Sequence, residues 1–412
     1  MIQRRLVTEI EDALADTPVV LLHGARRVGK STLVQSLLAA GQVSRYVTLD
    51  DLGVLSAATS DPVGFVDGLE CPAAIDEVQR APGLFLAIKA RVDRERRPGA
   101  FILTGSANAL LLPSVADSLA GRIQIATLWP LSQSEIESVP GQFIDTAFAD
   151  TPSWPADCGE PKDETLTRVV MGGYPEAIAR DRPRRRAAWF QSYLTSILQR
   201  DVRELAQIER TAELPRMLGL IAARAGGPLN LSELARAVGL PRTTVDRYVS
   251  LLRVVFLMHV VPAWSSNLTK RLVRSPKVYL NDTGLLAHLL GARGNSVPSD
   301  SPHVGRLVEN FAAVEIQKQV AVSETQPSVF HLRTHTQREV DVILEDSSGR
   351  VVGIEVKAGA TPSARDFRHL RGLAEDLGDR FVRGIVLYMG REVVAFGPNM
   401  LAVPIPALCK AG

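Results

Sequence analysis

Eight residues near the start of the chain, Gly24-Ala25-Arg26-Arg27-Val28-Gly29-Lys30-Ser31, fit G-x-x-x-x-G-K-[ST] between an apolar run (Val19–Leu22) and a helical pattern (Ser31–Ala40). Such a loop works only when a strand delivers it and a helix N-terminus closes it. Glycines let backbone N–H groups wrap phosphate oxygens, Lys30 neutralises β/γ-phosphate charge, and the Ser31 hydroxyl is placed to ligate Mg²⁺. The feature therefore demands an α/β fold with a parallel sheet. The alternation of short apolar runs (Tyr46–Leu49, Ala73–Ile75, Phe101–Leu103, Ile123–Leu128) with helical stretches such as Leu84–Arg94 agrees with one. The loop and Thr32 after it, Gly24 to Thr32, form the expected nucleotide-binding set, with ATP and Mg²⁺ as its ligands.

A phosphate loop needs an acidic partner at the end of a buried strand. Ala73-Ala74-Ile75-Asp76-Glu77 supplies one: Asp76 to hold Mg²⁺ and Glu77 to polarise the attacking water. Phe101-Ile102-Leu103-Thr104-Gly105-Ser106 ends in small hydroxyl residues, at a γ-phosphate sensor or a simple turn. Arg122 reads either as a transition-state arginine, acting in cis or from a neighbouring subunit of a homo-oligomer, or as a surface residue at a strand start.

The chain is nearly neutral, with 47 Lys/Arg and 45 Asp/Glu over 412 residues. The charge is unevenly spread: residues 181–280 hold 17 basic and 7 acidic side chains, leaving 30 basic and 38 acidic elsewhere. Within the basic segment, Leu231 to Val238 and Val245 to Leu252 carry apolar faces at helical spacing on either side of Gly239-Leu240-Pro241, a helix-turn-helix pattern. Bound to DNA, the second helix would present Arg242, Thr243, Thr244 and Arg247 to a major groove, with Arg253, Lys270, Arg271 and Arg274 on phosphates. The same pattern also serves as a packing unit inside ATPases. The local basic excess favours nucleic acid, with DNA preferred to RNA.

Residues 131–170 are acidic and rich in Pro, Asp and Ser, which reads as a linker or lid rather than core. The expected division is 1–130 for the phosphate-loop domain, 131–170 for the linker, 171–295 for a helical domain and 296–412 for a final α/β domain. Cys71, Cys158 and Cys409 match neither a disulfide framework nor a zinc pattern, and no apolar run is long enough for a signal peptide or a membrane span. The expectation is a cytoplasmic protein without a membrane partner.

In the last domain, Arg338 to Leu344 alternates like a strand, Asp346-Ser347-Ser348-Gly349 turns, and Val351 to Lys357 forms a second arm. Period-two geometry puts Glu355 and Lys357 on one face, where Asp341 of the partner strand can join them. Two carboxylates and an amine at one point can hold Mg²⁺ against a phosphodiester, and Glu309 on an earlier helix offers a further ligand. The competing reading is an exposed strand salt bridge. Asp341, Glu355 and Lys357 are the candidate catalytic set here, as Lys30 and Glu77 are in the first domain.

The order of GARRVGKST, AIDEVQRAPGLFLAIKARVD, FILTGSAN, SLAGRIQIATLWPLSQSE, GGYPEAI, YLTSILQRDV, VYLNDTGLLAHLLG, GRLVENFAAVEI and EVDVIL with GIEVKAG resembles that of a bacterial and archaeal family. Its members join an AAA-type P-loop domain to a carboxyl-terminal domain of formally unknown function, related to PD-(D/E)XK nucleases. The resemblance covers nearly the full length. It implies a RecA/AAA-like ATPase domain, a winged-helix element in the helical middle and a nuclease-like end. It carries nucleotide roles to Gly24, Gly29, Lys30, Ser31, Asp76 and Glu77, and nuclease-like roles to Glu309, Asp341, Glu355 and Lys357. Val340 stands where the motif's proline would be. The function this implies is that of an ATP-hydrolysing, DNA-associated protein whose nucleotide state controls a Mg²⁺-dependent nuclease-like site. The alternative is a nucleotide-switched regulator or signalling ATPase whose end domain is catalytically silent.

Overall fold

The computed structural model describes residues 2–106, 119–155, 158–202, 213–265, 275–292, 294, 297–298, 300–334 and 338–411, without the side chains of 200 and 201. Two compact units divide the chain. One holds Gln3–Trp129 with Leu252–Phe256, the other Pro130–Leu251 with Leu257 onward.

The first unit is built on five parallel strands: β1 (Val19–His23), β2 (Arg45–Thr48), β3 (Ala73–Asp76), β4 (Phe101–Gly105) and β5 (Ile123–Thr127), in the order β2-β3-β4-β1-β5. β1, β3 and β4 are fully buried, as a sheet covered on both faces requires. The helices are α1 (Leu6–Asp16), α2 (Lys30–Ala39), α3 (Leu52–Ser60), α4 (Pro62–Asp67) and α5 (Gly83–Glu95). Val19, Leu21, Ile75, Phe85, Ile88, Phe101 and Leu103 lie in one apolar core. Parallel pairing puts every strand's C-terminal end on one edge, where Thr48 faces Asp76 and His23 faces both Gly105 and Thr127.

The second unit starts with α6 (Gln133–Glu137), α7 (Phe143–Phe148), α8 (Lys162–Met171), α9 (Pro175–Ile178) and α10 (Pro183–Ser196). The expectation of a linker or lid over 131–170 is not met. Phe143, Ile144, Ala147 and Phe148 are buried, and Ser132 and Glu135 close a capping box. The polar composition misled because these groups are satisfied inside the fold. Glu315 accepts from Gln133 N–H at 2.8 Å, Gln319 accepts from Phe143 N–H at 3.2 Å, and the buried Arg383 donates to the Ala147 and Ala149 carbonyls.

Next come α11 (Leu214–Ala222), α12 (Leu231–Val238) and α13 (Arg242–Val254), whose last residues belong to the first unit. Asn230 caps α12, and Gly239 in the left-handed region ends it. The apolar faces are as read from the sequence: Leu234, Ala235, Val238, Val245, Tyr248, Val249 and Leu252 are buried. An antiparallel pair then follows, β6 (Met258–Val261) with β7 (Lys277–Leu280), in a stretch whose sequence pattern reads mostly as helix.

After α14 (Thr283–Leu289) and α15 (Val304–Val320) comes a mixed sheet. Its strands are β8 (Ser328–Arg333), β9 (Glu339–Glu345), β10 (Val351–Lys357), β11 (Phe381–Tyr388), β12 (Val394–Ala395) and β13 (Met400–Pro404), in the order β12-β13-β11-β10-β9-β8. β9 and β10 form the expected hairpin, Val342 facing Ile354, while β10 runs parallel to β11 through α16 (Arg368–Leu377). At Gly353 a Cβ would stand 2.8 Å from Leu370 of α16, so glycine permits that helix to lie on the strand. A last helix, α17 (Ala407–Lys410), ends the described chain.

The buried Asn310 of α15 ties this helix to β7 through both backbone groups of Leu280, at 2.9 Å to N and 3.0 Å to O. Asn310→Ala should lower the urea midpoint by an amount equivalent to about 1–3 kcal/mol, the cost of leaving two buried backbone groups unpaired. An unchanged midpoint would refute that tie.

Candidate functional sites

The phosphate loop leaves β1 at its C-terminal end and closes on α2. Gly24 is forced by a close approach: a Cβ there would stand 2.2 Å from the Leu128 carbonyl oxygen. Arg27 and Gly29 have φ of 66° and 99°, the left-handed turn that aims the loop at the helix N-terminus. The Lys30 amine is buried and donates to the loop's own carbonyls, Gly24 at 2.9 Å and Ala25 at 3.0 Å. Val28 is buried and Thr32 exposed. Arg4, which no sequence pattern marks, donates to Val28 O at 2.8 Å and Trp129 O at 2.6 Å and so braces the loop from outside.

Asp76 sits buried at the end of β3 as a shared acceptor. Ser31 Oγ donates to it at 3.0 Å, Tyr46 OH at 2.8 Å, and Thr104 Oγ also donates. The Ser31–Asp76 contact brings together the hydroxyl and carboxylate expected to hold Mg²⁺. These residues fit a hard cation beside a phosphate chain. Burial and the Asp76 carboxylate push the Tyr46 phenol up, which keeps it a donor. Glu77 adopts φ 58°, its N–H donates to Thr104 Oγ at 3.1 Å, and its carboxylate accepts from Gln79, which also reaches Ser106 Oγ at 3.1 Å. Thr104 and Ser106 thus meet the acidic pair. Tyr46 and Gln79 went unmarked because they come from a neighbouring strand and a short turn outside any motif.

Arg122 is a correction. It precedes β5, whose Ile123 pairs with Val19, so it lies at the N-terminal edge of the parallel sheet, and there it is bonded to Asp93 of α5. Four strand residues, about 13 Å, separate that edge from the phosphate loop. This excludes a role in cis on its own nucleotide site.

His23, the residue before Gly24, bonds Thr127 Oγ at 2.7 Å and meets the Phe256 ring edge-on at 5.2 Å. Burial, and then the Lys30 charge, push its imidazole down to about 4.

In the second unit Glu309 and Asp341 do meet, but at a residue that the sequence pattern passed over, while Glu355 pairs with Lys357. The Lys277 amine of β7, 1% exposed, lies 2.9 Å from Glu309, 2.9 Å from Asp341 and 3.0 Å from Glu339. Asp341 Oδ1 accepts from Lys277 and Oδ2 from Val356 N–H at 3.0 Å. Glu309 Oε1 accepts from both Lys277 and Tyr279, and Glu355 Oε1 from Lys357 at 2.6 Å. Glu355 Oε2 is buried without a hydrogen-bond partner. Burial and the Asp341 charge raise the Glu309 and Glu355 carboxyls; burial works against the Lys277 charge, but the acidic groups around it outweigh burial and hold the amine protonated.

This arrangement does not fit the metal site expected at Glu309, Asp341 and Glu355. Mg²⁺ takes about six oxygens in a near-octahedral shell, whereas an ammonium lies between Asp341 and Glu309. Among the described residues no group of three or more His, Cys, Asp or Glu has metal-holding geometry.

On α13, Arg242, Thr243 and Arg247 are exposed, and Thr244 and Arg253 are half-buried. Lys270, Arg271 and Arg274 lie outside the described residues. No helix among the described residues is long and apolar enough to cross a membrane.

Three family matches tile the chain: "AAA domain" at 16–137, "Domain of unknown function (DUF8612)" at 162–296 and "Domain of unknown function (DUF4143)" at 304–408. The uncharacterized proteins Rv2008c of Mycobacterium tuberculosis and Mb2031c of Mycobacterium bovis are each 30% identical to it over 414 residues, covering 100% of this chain and 86% of theirs. Among solved structures, the Walker-type ATPase PABY2304 of Pyrococcus abyssi aligns with 70% of this chain and 96% of its own, at 16% identity and a TM-score of 0.40.

The depressed His23 pKa has a sign. The unfolded chain takes this proton near pH 6.5 and the folded one only near 4, so its contribution is full above 6.5 and lost as pH falls towards 4. Chemical denaturation should show up to about 3 kcal/mol lost across that window, and His23→Asn should flatten the profile.

Proposed function

Because this chain belongs to the same family as the uncharacterized mycobacterial proteins Rv2008c and Mb2031c, and carries an AAA domain at residues 16–137, we propose that it is an ATP-binding, ATP-hydrolysing protein that associates with DNA. The observation that carries the ATPase reading is the Ser31–Asp76 hydrogen bond beside the buried Lys30 amine. On binding ATP, Lys30 exchanges its bonds to the Gly24 and Ala25 carbonyls for phosphate oxygens. Ser31 and Asp76 would hold Mg²⁺, and the ion would supply charge neutralisation to the phosphate chain. Glu77 orients the attacking water and takes its proton, with Gln79 fixing the carboxylate and Thr104 the backbone.

DNA association is supported by the order of α11, α12, α13, β6 and β7, which suits a winged helix, and by the exposure of Arg242, Thr243 and Arg247 along α13. Lys277 at the centre of the carboxylates favours the regulator or signalling ATPase with a silent nuclease-like domain.

Lys30→Ala should reduce ATP turnover by about a hundredfold or more while leaving the circular dichroism spectrum unchanged; turnover at the wild-type rate sinks the ATPase reading. Arg242→Ala and Arg247→Ala should each weaken duplex binding by about 1–3 kcal/mol and relax the discrimination between duplex sequences. Wild-type binding that ignores salt from 50 to roughly 200 mM would remove the DNA reading.

A further inference from the structure

The carboxyl-terminal cluster contains four carboxylates, Glu309, Glu339, Asp341 and Glu355, and two amines, Lys277 and Lys357. The two amines are not equivalent. Lys357 is more than a third exposed and touches one carboxylate; Lys277 is 1% exposed and touches three, from α15 and from two positions of β9. We propose that Lys277 is the resident cation of this site: its ammonium holds the place a divalent ion would take, so that metal competes with Lys277 rather than joining it.

Geometry, charge and packing agree on this. The carboxylates that a metal would bridge, Glu309 and Asp341, are already bridged by one Nζ at 2.9 Å to each. Those are ordinary charge-assisted hydrogen-bond lengths and leave no gap in which an ion and its oxygens would fit. The buried, unpartnered Glu355 Oε2 shows that the pocket retains acceptor capacity beyond what the amines satisfy. Lys277 is also not a passing surface chain. It pairs with Val261 in the ladder of β6 and β7, and Pro228 bridges to it from the other side. At Gly226 a Cβ would stand 2.8 Å from Glu309 Oε2, so glycine lets the backbone beside Lys277 approach the same carboxylate. With the ammonium removed, three carboxylates would share one buried point, an arrangement that recruits a cation or opens.

The inference does not depend on ATP turnover or on DNA binding, and it is read without either ligand. The test is a Mn²⁺ titration of the nucleotide-free full chain, following the free-ion signal by electron paramagnetic resonance. Wild type and Asp341→Asn should bind the same amount of Mn²⁺, since any ion at the phosphate loop is common to both. Lys277→Met should gain one site at least tenfold tighter than any Asp341-dependent binding of the wild type. That site should vanish in Lys277→Met/Asp341→Asn, and Mn²⁺ should raise the melting temperature of Lys277→Met by more than that of the wild type. Lys277→Met/Glu339→Gln, which relieves one charge, is the second variant should the single one not fold. A tight wild-type site lost in Asp341→Asn overturns the proposal, as does a folded Lys277 variant that gains no ion. If neither variant folds, the wild type against Asp341→Asn decides: equal binding upholds the proposal and a lost site ends it.

Discussion

A lysine ammonium with 1% of its surface exposed is an expensive thing to bury, several kcal/mol before any partner is counted. Much of the second unit is arranged to offset that one charge. β9 contributes Glu339 and Asp341 on the same face because strand side chains repeat every second residue. α15 contributes Glu309 one turn into its length, and Tyr279, two residues from Lys277 along β7, steadies the same carboxylate. The β6–β7 pair, the long helix and the mixed sheet are three separate parts of the fold with no local reason to meet. The charge cluster supplies one, and Asn310 repeats the connection one residue further along the helix.

The first unit buries a lysine by a different logic. Lys30 rests on neutral loop carbonyls, bonds that an incoming anion can replace at little cost, whereas Lys277 rests on carboxylates that a neutral ligand cannot displace. One site is poised for exchange and the other is held. The parallel sheet adds to the contrast: it collects Asp76, Thr104 and the phosphate loop on one edge, so that chemistry there depends on strand direction alone.

Legibility from sequence followed range. The phosphate loop, the Asp76-Glu77 pair, the helix-turn-helix faces and the β9–β10 hairpin were readable because each is set by residues within about twenty positions of one another. Lys277 was not, since its partners come 32, 62 and 64 residues later and nothing in its own strand is unusual. Residues 131–148 read as linker because polar groups that cap helices and those that face water look alike until their acceptors on α15 are seen. Arg122 stayed open between two readings for want of strand direction: the motif around it is local, but which end of the sheet it occupies is decided by the pairing of Ile123 with Val19.

α15 has one more implication. Its first turns carry Glu309 and Asn310 and its last carry Glu315, Lys318 and Gln319, which hold Gln133, Leu131 and Phe143 by their backbones. The three family segments that tile this chain are therefore not interchangeable cassettes. A recombination point placed between residues 296 and 304 would be clean in the alignment and ruinous in space, because it would take the acceptors away from one segment and the ammonium away from the other.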